Sequence, residues 1–319
     1  MKTTRLGMLA LVTATTLLGV GLTATPAGAA PSTTSAPKAR SAPVAATRAT
    51  PVVPPCTIPP KSEPVAQKAD SVVSAVAAAA APVKIWMAGD STMMNPSGGV
   101  CPVGWGSQFG ALFTSDATVV NRAVGGRSIQ TWLYDPNVTS AKNSAGECVI
   151  NPNTYSARWQ EMLNSSTGMK TGDYLFIQFG INDGDTNCPR HVGTARYQEL
   201  LTMMTKAALA RGAHPVLLTA VAAITCSGST AVPNRGFAPQ TFAVGTATNV
   251  PVIDLQRLSV ALYNSLKFCP NNSDYTSGPV GAFFCNDHTH FEAAGAQQIA
   301  KVVSTALRNQ GIPLAAYLR

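Results

Sequence analysis

Four short clusters of this 319-residue chain carry side chains that can do chemistry together. Gly89-Asp90-Ser91-Thr92 follows the apolar run Val83–Ala88, so a strand stops at a tight turn that presents a serine hydroxyl. The others are Asn121-Arg122-Ala123-Val124-Gly125-Gly126-Arg127-Ser128, Gly180-Ile181-Asn182-Asp183-Gly184 and Asp287-His288-Thr289-His290-Phe291. Each alone is ordinary turn chemistry: Ser91 could simply cap a helix, Gly125-Gly126 could simply make a turn, and Asn182 suits any post-strand loop. Together they supply a nucleophile, a glycine N–H, a side-chain amide, a carboxylate and an imidazole. A serine hydroxyl is unreactive until a base takes its proton, and a tetrahedral oxyanion needs donors already in place. The inventory is therefore that of acyl transfer by a serine. Asp287 and His290, three residues apart on one turn, let the carboxylate hold one ring nitrogen while the other faces Ser91. His288 is the rival base, but next to Asp287 it would have to double back. Asp90 reads as structural, its carboxylate accepting loop N–H groups. His191 and His214 read as structural or rim residues.

These clusters need a scaffold. Strand-like runs recur at Val83–Ala88, Thr118–Val124, Tyr174–Phe179, Pro215–Val221 and Pro251–Leu255. Helical patterns fall between them at Trp105–Phe113, Tyr155–Leu163, Tyr197–Arg211, Gln256–Lys267 and Ala293–Asn309. In the third, Leu200, Leu201, Met204 and Leu209 share a face, with Gly212 as a stop. Alternating β and α segments predict an α/β fold: a doubly wound, three-layer parallel sheet of five strands, in the flavodoxin-like order 2-1-3-4-5. Such a sheet gathers the ends of its strands, and so Ser91 and the glycine and asparagine turns, along one edge. An acidic alternation at Asp183-Gly184-Asp185-Thr186-Asn187 suggests a calcium loop. However, Cys188 and Thr194 stand where an EF-hand needs Gly and Glu, which excludes it.

On these motifs the chain resembles the SGNH (GDSL-type) hydrolases, and more closely their rhamnogalacturonan acetylesterase branch, from about Val83 to about Arg308. The resemblance implies that Ser91 is the nucleophile and that Asp287 and His290 complete a triad. It also implies an oxyanion hole of Ser91 N–H, Gly125 N–H and the Asn182 amide, with no metal or organic cofactor. That branch usually carries His at the position of Ile181, a departure that bears on the substrate rather than on catalysis. The expected substrate is an acetylated polysaccharide or small ester. A broader GDSL-type lipase or arylesterase is the alternative, followed by a non-catalytic glycan-binding protein or an acetyltransferase. The loops Met93–Gly104, Ile129–Pro152, Asp185–Gly193 and Ile224–Ala238 are polar, with Trp132 and Tyr134 as isolated aromatics. They suit sugar hydroxyls and ring stacking better than a long acyl chain.

Lys2 and Arg5, the apolar stretch Met8–Val20 and Ala27-Gly28-Ala29 read as a signal peptide over 1–29, hence a secreted protein. Residues 30–80, rich in Pro, Ala and Thr, read as a disordered linker, and 81–319 as one catalytic domain. The net charge of +8 is concentrated in the first 80 residues. The domain has 16 basic and 13 acidic residues, which predicts no nucleic-acid partner. No membrane span is expected, and the protein reads as a monomer. Seven cysteines in an exported chain predict disulfides, with Cys56 left over. Neighbouring strands suggest the pairs Cys188–Cys226 and Cys101–Cys148, and a short loop suggests Cys269–Cys285.

Overall fold

A computed structural model describes residues 81–319; the expected leader and linker, with Cys56, lie outside the described residues. Five parallel strands form the central sheet: β1 (Val83–Gly89), β2 (Ala117–Asn121), β3 (Tyr174–Gln178), β4 (His214–Leu218) and β5 (Val252–Ile253). Their order is β2-β1-β3-β4-β5, the predicted 2-1-3-4-5 arrangement. Eight helices surround the sheet: α1 (Trp105–Phe109), α2 (Ile129–Tyr134), α3 (Ala157–Leu163), α4 (Thr194–Leu209), α5 (Ala238–Thr248), α6 (Leu255–Ser265), the single turn α7 (Gly278–Gly281) and α8 (Ala293–Asn309).

The central strands β1, β3 and β4 are buried on both faces, which is why their sequences are apolar runs rather than alternations. Ile85, Met87, Phe176, Val216 and Leu218 pack with residues of α1, α6 and α8. Trp86, Ala88, Leu175, Ile177 and Leu217 pack on the opposite side with residues of α2, α3 and α4. In α4 the buried positions Tyr197, Leu200, Leu201, Met204 and Ala208 follow the helical repeat. Leu209, expected on that face, is 42% exposed at the helix end.

Several features differ from the sequence reading, among them α5, which lies where no helical pattern is expected. Ile129–Tyr134, expected as loop, is a helix, capped at Ser128 by a reciprocal pair with Thr131. Trp132 is consequently a core residue: fully buried, packed on Trp159 and Phe179, its indole N–H on the Arg122 carbonyl. Tyr134 is also buried, so neither ring stands free for sugar stacking. Two segments expected as loop form hairpins, Val138–Lys142 with Cys148–Ile150 and Cys226–Ser227 with Thr230–Ala231.

The disulfides are Cys101–Cys285, Cys148–Cys188 and Cys226–Cys269, so all three predicted pairs are wrong. Packing of loops, not adjacency of strands, sets the partners. α1 and α8 lie side by side, and the Val103 N–H donates to the Phe291 carbonyl, which brings Cys101 to Cys285. The first hairpin is held at the start of α4 by Glu147 accepting from the Gly193 N–H, so Cys148 meets Cys188. The second is tied to α6 by the Asn264 side chain on Ala231, so Cys226 meets Cys269 beyond that helix.

Candidate active site

β1 ends at Gly89, and the chain turns at once: the Met93 and Met94 N–H groups both reach the Asp90 carbonyl. Ser91 sits in this turn at the carboxyl edge of the sheet. Ser91 does not cap a helix, the alternative reading of this serine: the chain makes one hydrogen-bonded turn, and α1 begins only at Trp105. Gly89 permits the tight path, because a Cβ there would come within 2.7 Å of the Met93 sulfur. Asp90 is fully buried and accepts from the Thr92 N–H (2.9 Å) and hydroxyl (2.7 Å), the loop-holding role expected of it. Burial pushes its carboxyl above the ordinary value, against the Thr92 donors and the positive charge of Arg235. Gln178, at the end of β3, donates to Thr92 Oγ1 and accepts from the Trp105 indole. A buried relay from α1 through β3 thus holds the turn that carries Ser91.

The fourth cluster comes back to this turn across 199 residues. His290 Nε2 is 2.8 Å from Ser91 Oγ, and His290 Nδ1 is 2.7 Å from Asp287 Oδ2. The other Asp287 oxygen accepts the backbone N–H groups of Thr289 and His290, both at 2.7 Å. Burial alone would raise the Asp287 carboxyl, but the N–H and ring of His290 and the Thr289 N–H outweigh it and bring the carboxyl below its ordinary value. The carboxylate therefore remains an acceptor for Nδ1–H, which leaves Nε2 to face the hydroxyl as a proton acceptor. His288 points elsewhere: it is exposed, with Nδ1 on the Thr289 hydroxyl and its ring against Tyr275. His214 starts β4, at the opposite edge of the sheet, and His191 Nδ1 is 2.6 Å from the Asp185 carbonyl.

Gly125 lies against Ser91: a Cβ there would sit 3.7 Å from Ser91 Cβ and 3.1 Å from the Met94 sulfur. The turn itself depends on Gly126, at φ 71°. Asn182 Nδ2 donates to the Arg127 carbonyl (3.1 Å), which joins the asparagine turn to the glycine turn and leaves the amide its second N–H. Asp183 makes the same connection from inside. Its fully buried carboxylate accepts from the Gly180 and Ile129 N–H groups, each at 2.8 Å. Burial pushes it up to about 7, against those two donors, with the charge of Asp90 adding to the rise. Asp185 instead pairs with Arg190 and accepts from the Asn187 N–H.

Sequence reasoning missed Gln178, Arg235 and the bridging role of Asp183. Arg235 donates from its half-buried position to Thr289 Oγ1 (2.9 Å) and to the Val221 carbonyl (3.3 Å), beneath the turn that carries His290. No local pattern marks a lone arginine in a polar loop. Gln178 could have been noticed as an amide ending an otherwise apolar strand.

A serine, imidazole and carboxylate in hydrogen-bonded line at the carboxyl edge of a 2-1-3-4-5 sheet define a serine-type hydrolase on a flavodoxin-like α/β scaffold. The family model for GDSL-like Lipase/Acylhydrolase matches residues 85–303, and the chain belongs to that family: it is a hydrolase acting on ester bonds. The chain is 30% identical to rhamnogalacturonan acetylesterase RhgT of Bacillus subtilis over 250 residues, covering 74% of this chain and 94% of the relative. It is 28% identical over 235 residues to the probable rhamnogalacturonan acetylesterase YesY of the same organism, with coverage of 72% and 94%. The crystal structure of Bacillus subtilis YxiM matches at a TM-score of 0.57 and 25% identity, over 73% of this chain and 58% of that one. This chain thus spans less than two thirds of that longer protein.

Proposed function

We propose that this protein is an exported serine carbohydrate esterase that removes O-acetyl groups from a polysaccharide, pectic in type. One observation carries the reading: the unbroken contact from Asp287 through His290 to Ser91 Oγ. In the proposed cycle His290 Nε2 takes the Ser91 proton as Oγ attacks the ester carbonyl. The oxyanion rests on the Ser91 N–H, the Gly125 N–H and the second N–H of Asn182. The C–O bond to the sugar breaks, and His290 returns the proton to the leaving oxygen. Water, deprotonated by His290, then attacks the acetyl-enzyme, releasing acetate and restoring Ser91. Asp287 holds the imidazole and stabilises its charged form throughout.

The carbohydrate assignment is supported by the names of the two acetylesterase relatives and by the polar loops around the site. Three disulfides support export, because such bonds persist in oxidising compartments. Among the described residues no helix is long and apolar enough to cross a membrane. The test is acetate release from a panel of acetylated pectic and xylan polysaccharides, alongside 4-nitrophenyl acetate and 4-nitrophenyl octanoate. Acetate from a pectic substrate is expected. Hydrolysis confined to the synthetic esters would leave an esterase without the polysaccharide.

A further inference from the structure

A cleft of about 470 Å³ opens beside the imidazole, with His290 and Asp287 in its wall. The loop bearing Val100 and Pro102 forms one side, the segment bearing Asn286 and Glu292 the other, and the Cys101–Cys285 cystine joins them. Three properties of this cleft call for an occupant. The first is its place in the reaction. Nε2, 2.8 Å from Ser91 Oγ, must hand its proton to the departing oxygen, so the alcohol half of an ester leaves on the imidazole side. A cleft that continues past His290 is where the rest of that alcohol lies.

The second is Glu292. It stands at the N-cap of α8 but does not cap it, and its side chain has no hydrogen-bond or ion-pair partner among the described residues. A carboxylate oxygen lies within 4.8 Å of both cystine sulfurs, and the residue lines the cleft. The sulfurs are bonded to each other, so this group offers a cation only one ligand oxygen. A carboxylate without a partner accepts strongly from hydroxyl groups and repels a second carboxylate. The third is the mixture of surfaces. Val100 is 81% exposed and, with Pro102, gives the cleft an apolar side, while Asn286 offers an amide donor and acceptor. Hydroxyls on one edge and CH groups on a face are the chemistry of an uncharged sugar ring.

We infer that this cleft is the subsite for the sugar unit next to the acetylated one, that it takes an uncharged unit, and that Glu292 is the residue that binds its hydroxyls and turns anionic units away. The inference rests on the esterase reading. It makes the best substrate a chain in which neutral sugars neighbour the acetylated one.

The experiment measures kcat/KM of the full chain on acetylated rhamnogalacturonan oligosaccharides, where a neutral sugar neighbours the acetylated one (the neutral series), and on acetylated oligogalacturonides, where every neighbour is anionic (the anionic series). The wild type is expected to favour the neutral series by about tenfold, as like-charge repulsion requires, and added salt should narrow the gap. Glu292→Gln should reduce that ratio about fivefold or more, mainly through KM, since the amide binds hydroxyls but no longer repels. Val100→Arg, on the opposite wall, should raise kcat/KM for the anionic series alone, whether or not the Glu292 variant folds. A ratio that Glu292→Gln and Val100→Arg both leave as in the wild type overturns the subsite, as does a wild type that prefers the anionic series. Failure to cleave 4-nitrophenyl acetate would instead overturn the esterase reading beneath it.

Discussion

At the scale of single residues, two carboxyls near the site are tuned in opposite directions by their surroundings. Asp287 is part-exposed and held by three donors, so it stays ionised and serves the imidazole. Asp183 is sealed in and pushed up to about 7, so burial favours its protonated form although its oxygens hold two turns together. For such a group the folded chain keeps its proton between about pH 4 and 7 while the unfolded chain has lost it. Its contribution to stability is thus complete below the unfolded value and declines as pH rises through the folded one. Comparing urea unfolding of the wild type with Asp183→Asn, the difference in ΔG should move against the wild type by about 4 kcal/mol between pH 4 and 8. A pH-independent difference would mean that the carboxyl is not raised. The proposed catalytic roles predict that Ser91→Ala and His290→Ala each lower kcat about 10⁴-fold or more with the melting temperature preserved. Asp287→Asn should be severe because it disturbs the tautomer, whereas His288→Ala should leave kcat near wild type. Steady-state kinetics on 4-nitrophenyl acetate read all four; equal losses in His288→Ala and His290→Ala would reassign the base.

At the scale of elements, the staples differ in what they hold. Cys101–Cys285 joins the loop after Ser91 to the segment just before Asp287, across 184 residues. Cys226–Cys269 fastens a hairpin to the end of α6, across 43 residues. Loop-closure entropy predicts that replacing the first pair by serines costs about 5 kcal/mol and the second about 4 kcal/mol, a small contrast. Activity should separate them clearly. The Cys101→Ser/Cys285→Ser variant loosens the base turn against the nucleophile turn and should lose kcat, while Cys226→Ser/Cys269→Ser should keep it. Thermal unfolding with kinetics on the same samples checks this, and peptide mapping should recover the 101–285, 148–188 and 226–269 cross-links. Matching kcat losses in the two variants would remove the positioning role of the first staple.

At the scale of the whole molecule, the acyl side of the site sets a size preference. The serine lies among turns held by the polar Thr92, Gln178, Asn182 and Asp183. A long acyl chain gains about 0.8 kcal/mol for each methylene it buries, and a surface of polar turns favours a short one. Acetyl esters should therefore be cleaved with higher kcat/KM than octanoyl esters of the same alcohol. A preference for octanoate would promote a lipase in place of the acetylesterase.

Much of this molecule was legible in its residues. Both faces of a central parallel strand are covered, so each strand announces itself as an apolar run, and the turn chemistry after each run announces the site. The five strands and the turns that carry Ser91, Gly125 and Asn182 follow from such local signals, and the strand order from the resemblance to the SGNH hydrolases. The capping pair Ser128 and Thr131 was also there to be read, and with it the helix that buries Trp132. What lay beyond local pattern was settled by packing. Whether Cys101 meets Cys148 or Cys285 depends on which helix lies beside α1, a contact between segments almost 200 residues apart. Only the folded chain brings Glu292 into the wall of a cleft, or slips Arg235 beneath the turn that carries His290. Periodicity and turn propensity act over a few residues and can be read one segment at a time. Disulfide partners and cleft walls are properties of surfaces that exist only once the layers have closed on one another.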